Sequence, residues 1–339
     1  MVKFKAKAFI ATMASAALVL AGCGDSPNKV APPDTTPNLT PNLTPNTSGL
    51  GIPKSSPISG PEPGETKRVK LPSGRSFLAH LPKDYDSEKK WPLLFAFHGY
   101  GQDDESMLTG TSFDESGAIS VFPLGKDKAW APAPYAKTTG REDLKFVDDM
   151  IDALRATYNI DDEAIYAAGM SNGGGFTAYL GCQRPDVFAG IASVSAAYYD
   201  AIHEGCSNDA LPRLDIHGTD DPIISYFGGT RHDTPYRSVT DVLNDDARRN
   251  GCEDKVDTTR ISTTAFRQNW VGCDEPLVHI RIGGGSHTWP GGETDKTAED
   301  GKHFATDKVL DFFHIAGRPT GTEDKEDQYD DTPQREPSP

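Results

Sequence analysis

Positive charge is what this 339-residue chain is short of: 34 Lys and Arg stand against 50 Asp and Glu, a formal net charge of -16. Nucleic acids need a basic face to meet their phosphates, so no nucleic-acid partner is expected. Cysteine is scarce as well, five residues in all and none of them in a C-x-x-C. Thiol-rich metal sites and dithiol redox motifs are therefore not expected. Neither H-E-x-x-H nor G-x-x-x-x-G-K-[ST] occurs, so nothing in the sequence calls for a metal or a nucleotide, and the expectation is chemistry without a cofactor. Long apolar runs are missing too. The one that stands out, Phe9 to Leu20, is too short for a permanent membrane span.

That run belongs to a pattern. Lys3, Lys5 and Lys7 precede it and Ala21-Gly22-Cys23 follows, which reads as an export signal over residues 1–22. Leu20-Ala21-Gly22-Cys23 resembles a bacterial lipobox, which implies cleavage before Cys23, lipidation of its thiol and attachment to a membrane through that anchor. A secretory signal with an incidental cysteine is the alternative. Either way the protein is expected to be exported, as a cell-envelope lipoprotein on the first reading. Residues 23–66 are rich in Pro, Thr, Asn and Ser with few apolar side chains, and residues 318–339 are polar and acidic. Neither segment has the apolar surface to offset its ordering entropy, so a disordered tether and a disordered tail are expected. Four cysteines remain: Cys182, Cys206, Cys252 and Cys273. In an exported chain an even number favours disulfides. Three connectivities are open, and Cys182–Cys206 with Cys252–Cys273 closes short loops.

Between the tails lies a catalytic-domain-sized stretch, 67–317. Strand-like runs recur at Val69–Leu71, Arg75–Leu81, Pro92–Phe97, Ala118–Phe122, Ala164–Ala168, Gly190–Val194, Arg213–Ile216 and Val278–Ile282. Helical periodicity falls between them, clearest at Asp143–Tyr158 and again near Val239–Asn250 and Phe304–His314. Asp143, Asp148 and Asp149 read as surface charges of the first of these. The alternation predicts an α/β fold, a mostly parallel sheet with helices on both faces. Reactive groups in such sheets lie at the carboxyl ends of the strands.

Four strand ends carry candidates. Ala164–Ala168 runs into Gly169-Met170-Ser171-Asn172-Gly173, then a helical pattern. A turn that sharp needs glycine on both sides and a strained central residue, which lifts the Ser171 hydroxyl clear and sets it by the positive end of a helix. Pro92–Phe97 runs into His98-Gly99-Tyr100-Gly101-Gln102, a loop that would offer the Tyr100 N–H beside the Asn172 N–H to an oxyanion. Arg213–Ile216 runs into His217-Gly218-Thr219-Asp220-Asp221-Pro222, where either aspartate could orient a histidine. Val278–Ile282 runs into a glycine-rich loop holding His287. Ser171, Asp221, His287 is the α/β-hydrolase order of nucleophile, acid and base. His98 and His217 read as structural, His279 and His303 as packing or surface residues.

Taken together, His98–Gln102, Gly169–Gly174, Pro185–Ala189, His217–Pro222 and His287–Gly291 resemble the bacterial lipoprotein esterases related to polyhydroxybutyrate depolymerases and to the feruloyl esterases of carbohydrate esterase family one, in the α/β-hydrolase superfamily. The resemblance spans about Lys67 to His314. It implies Ser171 as nucleophile, His287 as base and Asp221, before Pro222, as the orienting acid. It also implies Cys252 paired with Cys273, and Trp130 and Trp289 near the substrate cleft. The stretches Ala197–Asp200 and Thr138–Asp143 lean to the feruloyl esterase side. The expected activity is two-step hydrolysis of a carboxylic ester, hydroxycinnamoyl first and short polyester second. A catalytically silent binding protein on the same scaffold is the reading from another class.

Overall fold

Ten strands form one mixed sheet in the order β1-β2-β4-β3-β5-β6-β7-β12-β11-β10. The computed structural model describes residues 57–293, 295 and 300–317. The export signal, Cys23, residues 23–56 of the expected tether and the acidic tail lie outside the described residues. Strands β1 (Thr66–Lys70), β2 (Ser76–His80), β3 (Trp91–Phe97), β4 (Ile119–Pro123), β5 (Ile160–Met170), β6 (Gly190–Val194), β7 (Arg213–Gly218) and β12 (Leu277–Ile282) match the expected runs to within a few residues. From β4 through β12 the neighbours are parallel; β1, β2, β10 (Val256–Arg260) and β11 (Ala265–Trp270) add antiparallel edges. A separate hairpin pairs β8 (Gly229–Arg231) with β9 (Thr234–Tyr236).

Both faces of the sheet are covered, and the period-two alternation of the strands shows how. In β3, Phe95 and Phe97 pack with Val147, Met150 and Leu154 of α2 (Gly140–Arg155) and with Phe176 of α3 (Asn172–Gln183). Leu94 and Ala96 point the other way, into a cluster with Met107 of α1 (Asp104–Thr111) and Val309 of α5 (Phe304–Phe312). Each such large side chain contributes about 1.5–3 kcal/mol on burial. Helix α4 (Val239–Arg249) packs Val242 and Leu243 against Tyr198 and Tyr199 in a third cluster.

Two expectations are corrected, and two strands were not foreseen. The tether ends earlier than residue 66: Ile58 donates its N–H to Thr157 Oγ1 at 3.0 Å, and Tyr158 donates its hydroxyl to the Pro61 carbonyl at 2.8 Å. Asp143 is no surface charge. Fully buried, it takes Arg75 Nη1 at 2.5 Å, the Ala131 N–H at 2.9 Å and the Thr138 hydroxyl at 2.7 Å. Strands β10 and β11 gave no sequence signal, because every residue of β10 is exposed and carries no buried alternation.

Candidate active site

The turn from β5 into α3 carries Ser171 at φ 55° and ψ -117°, a left-handed strain for a residue with a side chain. Close packing explains both flanking glycines. A Cβ on Gly169 would stand 2.4 Å from the Gly173 carbonyl oxygen, and one on Gly173 would stand 2.1 Å from that of Phe97. The strain is held from outside: the Ser171 N–H donates to Val194 O at 2.9 Å, and the Ser171 carbonyl accepts from Ala197 N at 3.1 Å. The end of β6 thus fixes the turn that lifts the hydroxyl.

His287 Nε2 lies 3.0 Å from Ser171 Oγ, and its Nδ1 lies 2.7 Å from Asp221 Oδ2. Three loops, from β5, β7 and β12, bring these together across 116 residues of chain. The loop bearing His287 is pinned just past that residue, at Thr288 and Trp289. Ser195 Oγ donates to Thr288 O at 3.0 Å, and Trp289 is buried with its Nε1 donating to Thr306 Oγ1 at 3.0 Å. Asp221 Oδ1 accepts the N–H groups of Ile223 and Ile224, each at 2.8 Å. Burial alone would push this carboxyl up, but hydrogen bonds from His217, His287 and the Ile224 N–H hold it well below the usual carboxylate range. Asp220 is exposed and stands apart, at 3.2 Å from the Thr219 hydroxyl.

The loop after β3 closes over the same spot. A Cβ on Gly99 would come within 3.4 Å of the Ser171 Cβ. Gln102 Oε1 accepts from Gly99 N at 2.9 Å and Lys128 O accepts from Gly101 N at 2.9 Å, so the loop is tied on each side of Tyr100. Among the described residues the N–H groups of Tyr100 and Asn172 meet no acceptor. His98 is buried and structural, accepting from Gly125 N on Nε2 at 3.0 Å.

Trp130 and Trp289 are not cleft residues. At 0% and 3% exposed, both are core side chains: Trp130 stacks on Phe176, with ring centroids 5.1 Å apart, and Trp289 meets Phe113 edge-on at 5.6 Å. The aromatic surface beside the site comes from Tyr100, named in the sequence only for its N–H, and from Tyr135 and His232, which the sequence did not bring out. Tyr100 is half exposed, its ring 4.2 Å from that of Tyr135, which in turn lies 4.6 Å from His232 and 6.1 Å from Tyr199. His232 sits at the tip of the β8–β9 hairpin, so three distant segments make one aromatic wall. Tyr198 points inward, donating to Asp215 and accepting Arg213 Nη2 at 2.8 Å. His279 is likewise more than packing, its Nδ1 2.9 Å from Asp215 Oδ1.

The remaining cysteines form two disulfides, Cys182–Cys206 and Cys252–Cys273. Among the described residues no group of three or more His, Cys, Asp or Glu could hold a metal ion.

A strained serine on a strand-to-helix turn, on a mostly parallel sheet covered by helices, defines an α/β-hydrolase. Comparison with known proteins narrows the class. Residues 76–225 match the profile of the family described as "Esterase PHB depolymerase". Feruloyl esterase C of Emericella nidulans is 28% identical over 273 residues, covering 77% of this chain and 92% of that one. Feruloyl esterase B of Piromyces equi is 29% identical over 230 residues, covering 62% of this chain and 42% of that one. In fold, an acetyl xylan esterase from Aspergillus awamori superposes with a TM-score of 0.55 at 16% identity, over 74% of this chain and 99% of that one. By these likenesses the chain is similar to the polyhydroxybutyrate depolymerase and feruloyl esterase group, and it is a carboxylic ester hydrolase. That sets aside the silent binding protein.

Proposed function

We propose that the protein hydrolyses hydroxycinnamoyl-type esters through a covalent acyl-enzyme on Ser171. The observation that carries this reading is the continuous line Ser171 Oγ, His287, Asp221 at 3.0 and 2.7 Å. His287 Nε2 takes the Ser171 proton as Oγ attacks the ester carbonyl. Asp221 keeps His287 in the tautomer with its proton on Nδ1 and balances the imidazolium that forms. The oxyanion of the tetrahedral intermediate lies against the N–H groups of Tyr100 and Asn172. His287 returns the proton to the departing alcohol, and water then repeats the sequence to free the acid and regenerate Ser171.

An aromatic acyl group is favoured by the wall of Tyr100, Tyr135 and His232, which starts at the residue assigned to the oxyanion and offers ring faces and edges for stacking. The feruloyl esterase names of the relatives point the same way. A short polyester is the second reading, drawn from the description of the family profile. Two disulfides suit an exported enzyme. Anchoring through a lipid on Cys23 completes the proposal, and a Cys23→Ser chain released from the membrane fraction is its check.

The deciding experiment compares hydrolysis of methyl ferulate and of 3-hydroxybutyrate oligomers by the chain from Asp25 onward, with Ser171→Ala as blank. Preference for ferulate is expected. Preference for the oligomers moves the enzyme to polyester turnover, and a Ser171→Ala protein as active as the parent overturns the mechanism.

A further inference from the structure

An oxyanion hole built from two separate loops works only if their spacing is fixed, and here one buried residue spans both. Asn172, which follows the nucleophile in the Gly169–Gly173 turn, does not cap its own helix with its side chain. Its Oδ1 accepts the Trp130 N–H at 2.8 Å and its Nδ2 donates to the Trp130 carbonyl at 3.0 Å. From Trp130 the indole Nε1 donates to the His98 carbonyl at 3.1 Å, on the loop that carries Tyr100. Two residues earlier, Lys128 O holds Gly101 N at 2.9 Å on the other side of Tyr100. One short segment therefore grips the Tyr100 loop at two points and the nucleophile turn at a third.

The segment is itself immobilised. The Trp130 ring is wedged between Phe176, stacked at 5.1 Å, and Phe97, edge-on at 5.2 Å; the first lies on the helix leaving Ser171 and the second on the strand entering the Tyr100 loop. Next to it the Ala131 N–H ends on buried Asp143, which is paired with Arg75. Trp130 and Asn172 are 0% and 3% exposed, so little competing water reaches these bonds.

We infer that the Asn172 carboxamide and Trp130 are positioning residues that set the distance between the Tyr100 and Asn172 N–H donors. The inference rests on the esterase mechanism proposed above. Donors must lie about 2.7–3.1 Å from the developing oxyanion, so a displacement of a few tenths of an ångström weakens the transition state and leaves ground-state binding alone.

The test measures kcat, KM and the affinity for an aryl trifluoromethyl ketone, whose adduct with Ser171 places an oxyanion in the hole. Asn172→Ala is expected to lower kcat by about 10- to 100-fold with KM within about twofold, and to weaken the ketone by the same factor as kcat/KM. Trp130→Phe keeps the ring but frees the His98 carbonyl, and is expected to show the same pattern at about 3- to 10-fold. A merely structural role would move the unfolding midpoint without this parallel fall. A folded Asn172→Ala with kcat and ketone affinity within twofold of the parent overturns the inference. Should that variant fail to fold, unchanged values for Trp130→Phe overturn it equally. A parent protein that neither hydrolyses esters nor binds the ketone removes the underlying mechanism instead.

Discussion

His217 Nε2 stands 3.3 Å from Asp221 Oδ2, the same carboxylate oxygen that His287 Nδ1 reaches at 2.7 Å. Two histidines converge on one acid, and only one of them faces the nucleophile. His217 is fully buried and also bonds the Ile224 carbonyl at 3.0 Å, so it braces the loop that presents Asp221.

From this geometry the two adjacent aspartates are expected to separate cleanly. Asp221→Asn loses the acceptor that fixes the His287 tautomer, and kcat should fall by about 10⁴-fold. Asp220→Asn alters an exposed side chain bonded to Thr219 and should stay within about threefold of the parent. Steady-state rates on one aryl ester decide it; equal losses would mean that the acid is wrongly assigned.

Acid sensitivity of the fold has a named source in His203. Burial, then the charges of Arg213, Arg237 and Arg249, lower its imidazole to about 3. The unfolded chain titrates near the ordinary value of about 6.5 and so binds more protons throughout the interval between. Stability from this group is therefore full above about pH 6.5 and falls as pH drops toward 3, by roughly 3 kcal/mol at pH 4. Urea unfolding of His203→Gln at pH 7 and pH 4 should show a smaller loss than the parent. Parallel curves would sink the assignment.

Substrate choice should follow the aromatic wall. Removing the ring in Tyr135→Ala deletes its contacts with Tyr100, Tyr199 and His232, each such pair contributing about 0.5–1.5 kcal/mol. The expected result is a roughly tenfold fall in kcat/KM for methyl ferulate relative to methyl butyrate. An unchanged ratio would place the aromatic subsite elsewhere.

Removal of the Cys252–Cys273 bridge tests stability apart from catalysis. It closes a loop of sequence separation 21 that runs from just after α4 to just after β11 and contains β10 and β11. Loop entropy gives about 3 kcal/mol for that length. The Cys252→Ala/Cys273→Ala chain should unfold at lower urea with kcat near the parent value.

Much of this was legible in the chain because it is local. The strand runs around Phe95, Ala167 and Ile216 are continuous and apolar because both faces of the sheet are covered, and Gly169 is required by Gly173 and Thr177 within the turn and the helix that follows it. The order Ser171, Asp221, His287 is a property of sequence alone. The tertiary structure decided what depends on distance in space. It set Asp221, and not Asp220, at 2.7 Å from His287 in a loop 66 residues away, and it buried Asp143 against Arg75, 68 residues distant. It placed Trp130 in the core and gathered Tyr100, Tyr135 and His232 into one aromatic cluster. Residue type and periodicity report whether a side chain suits an interior or a turn; which partners it meets there is set by packing between segments that no local pattern encodes.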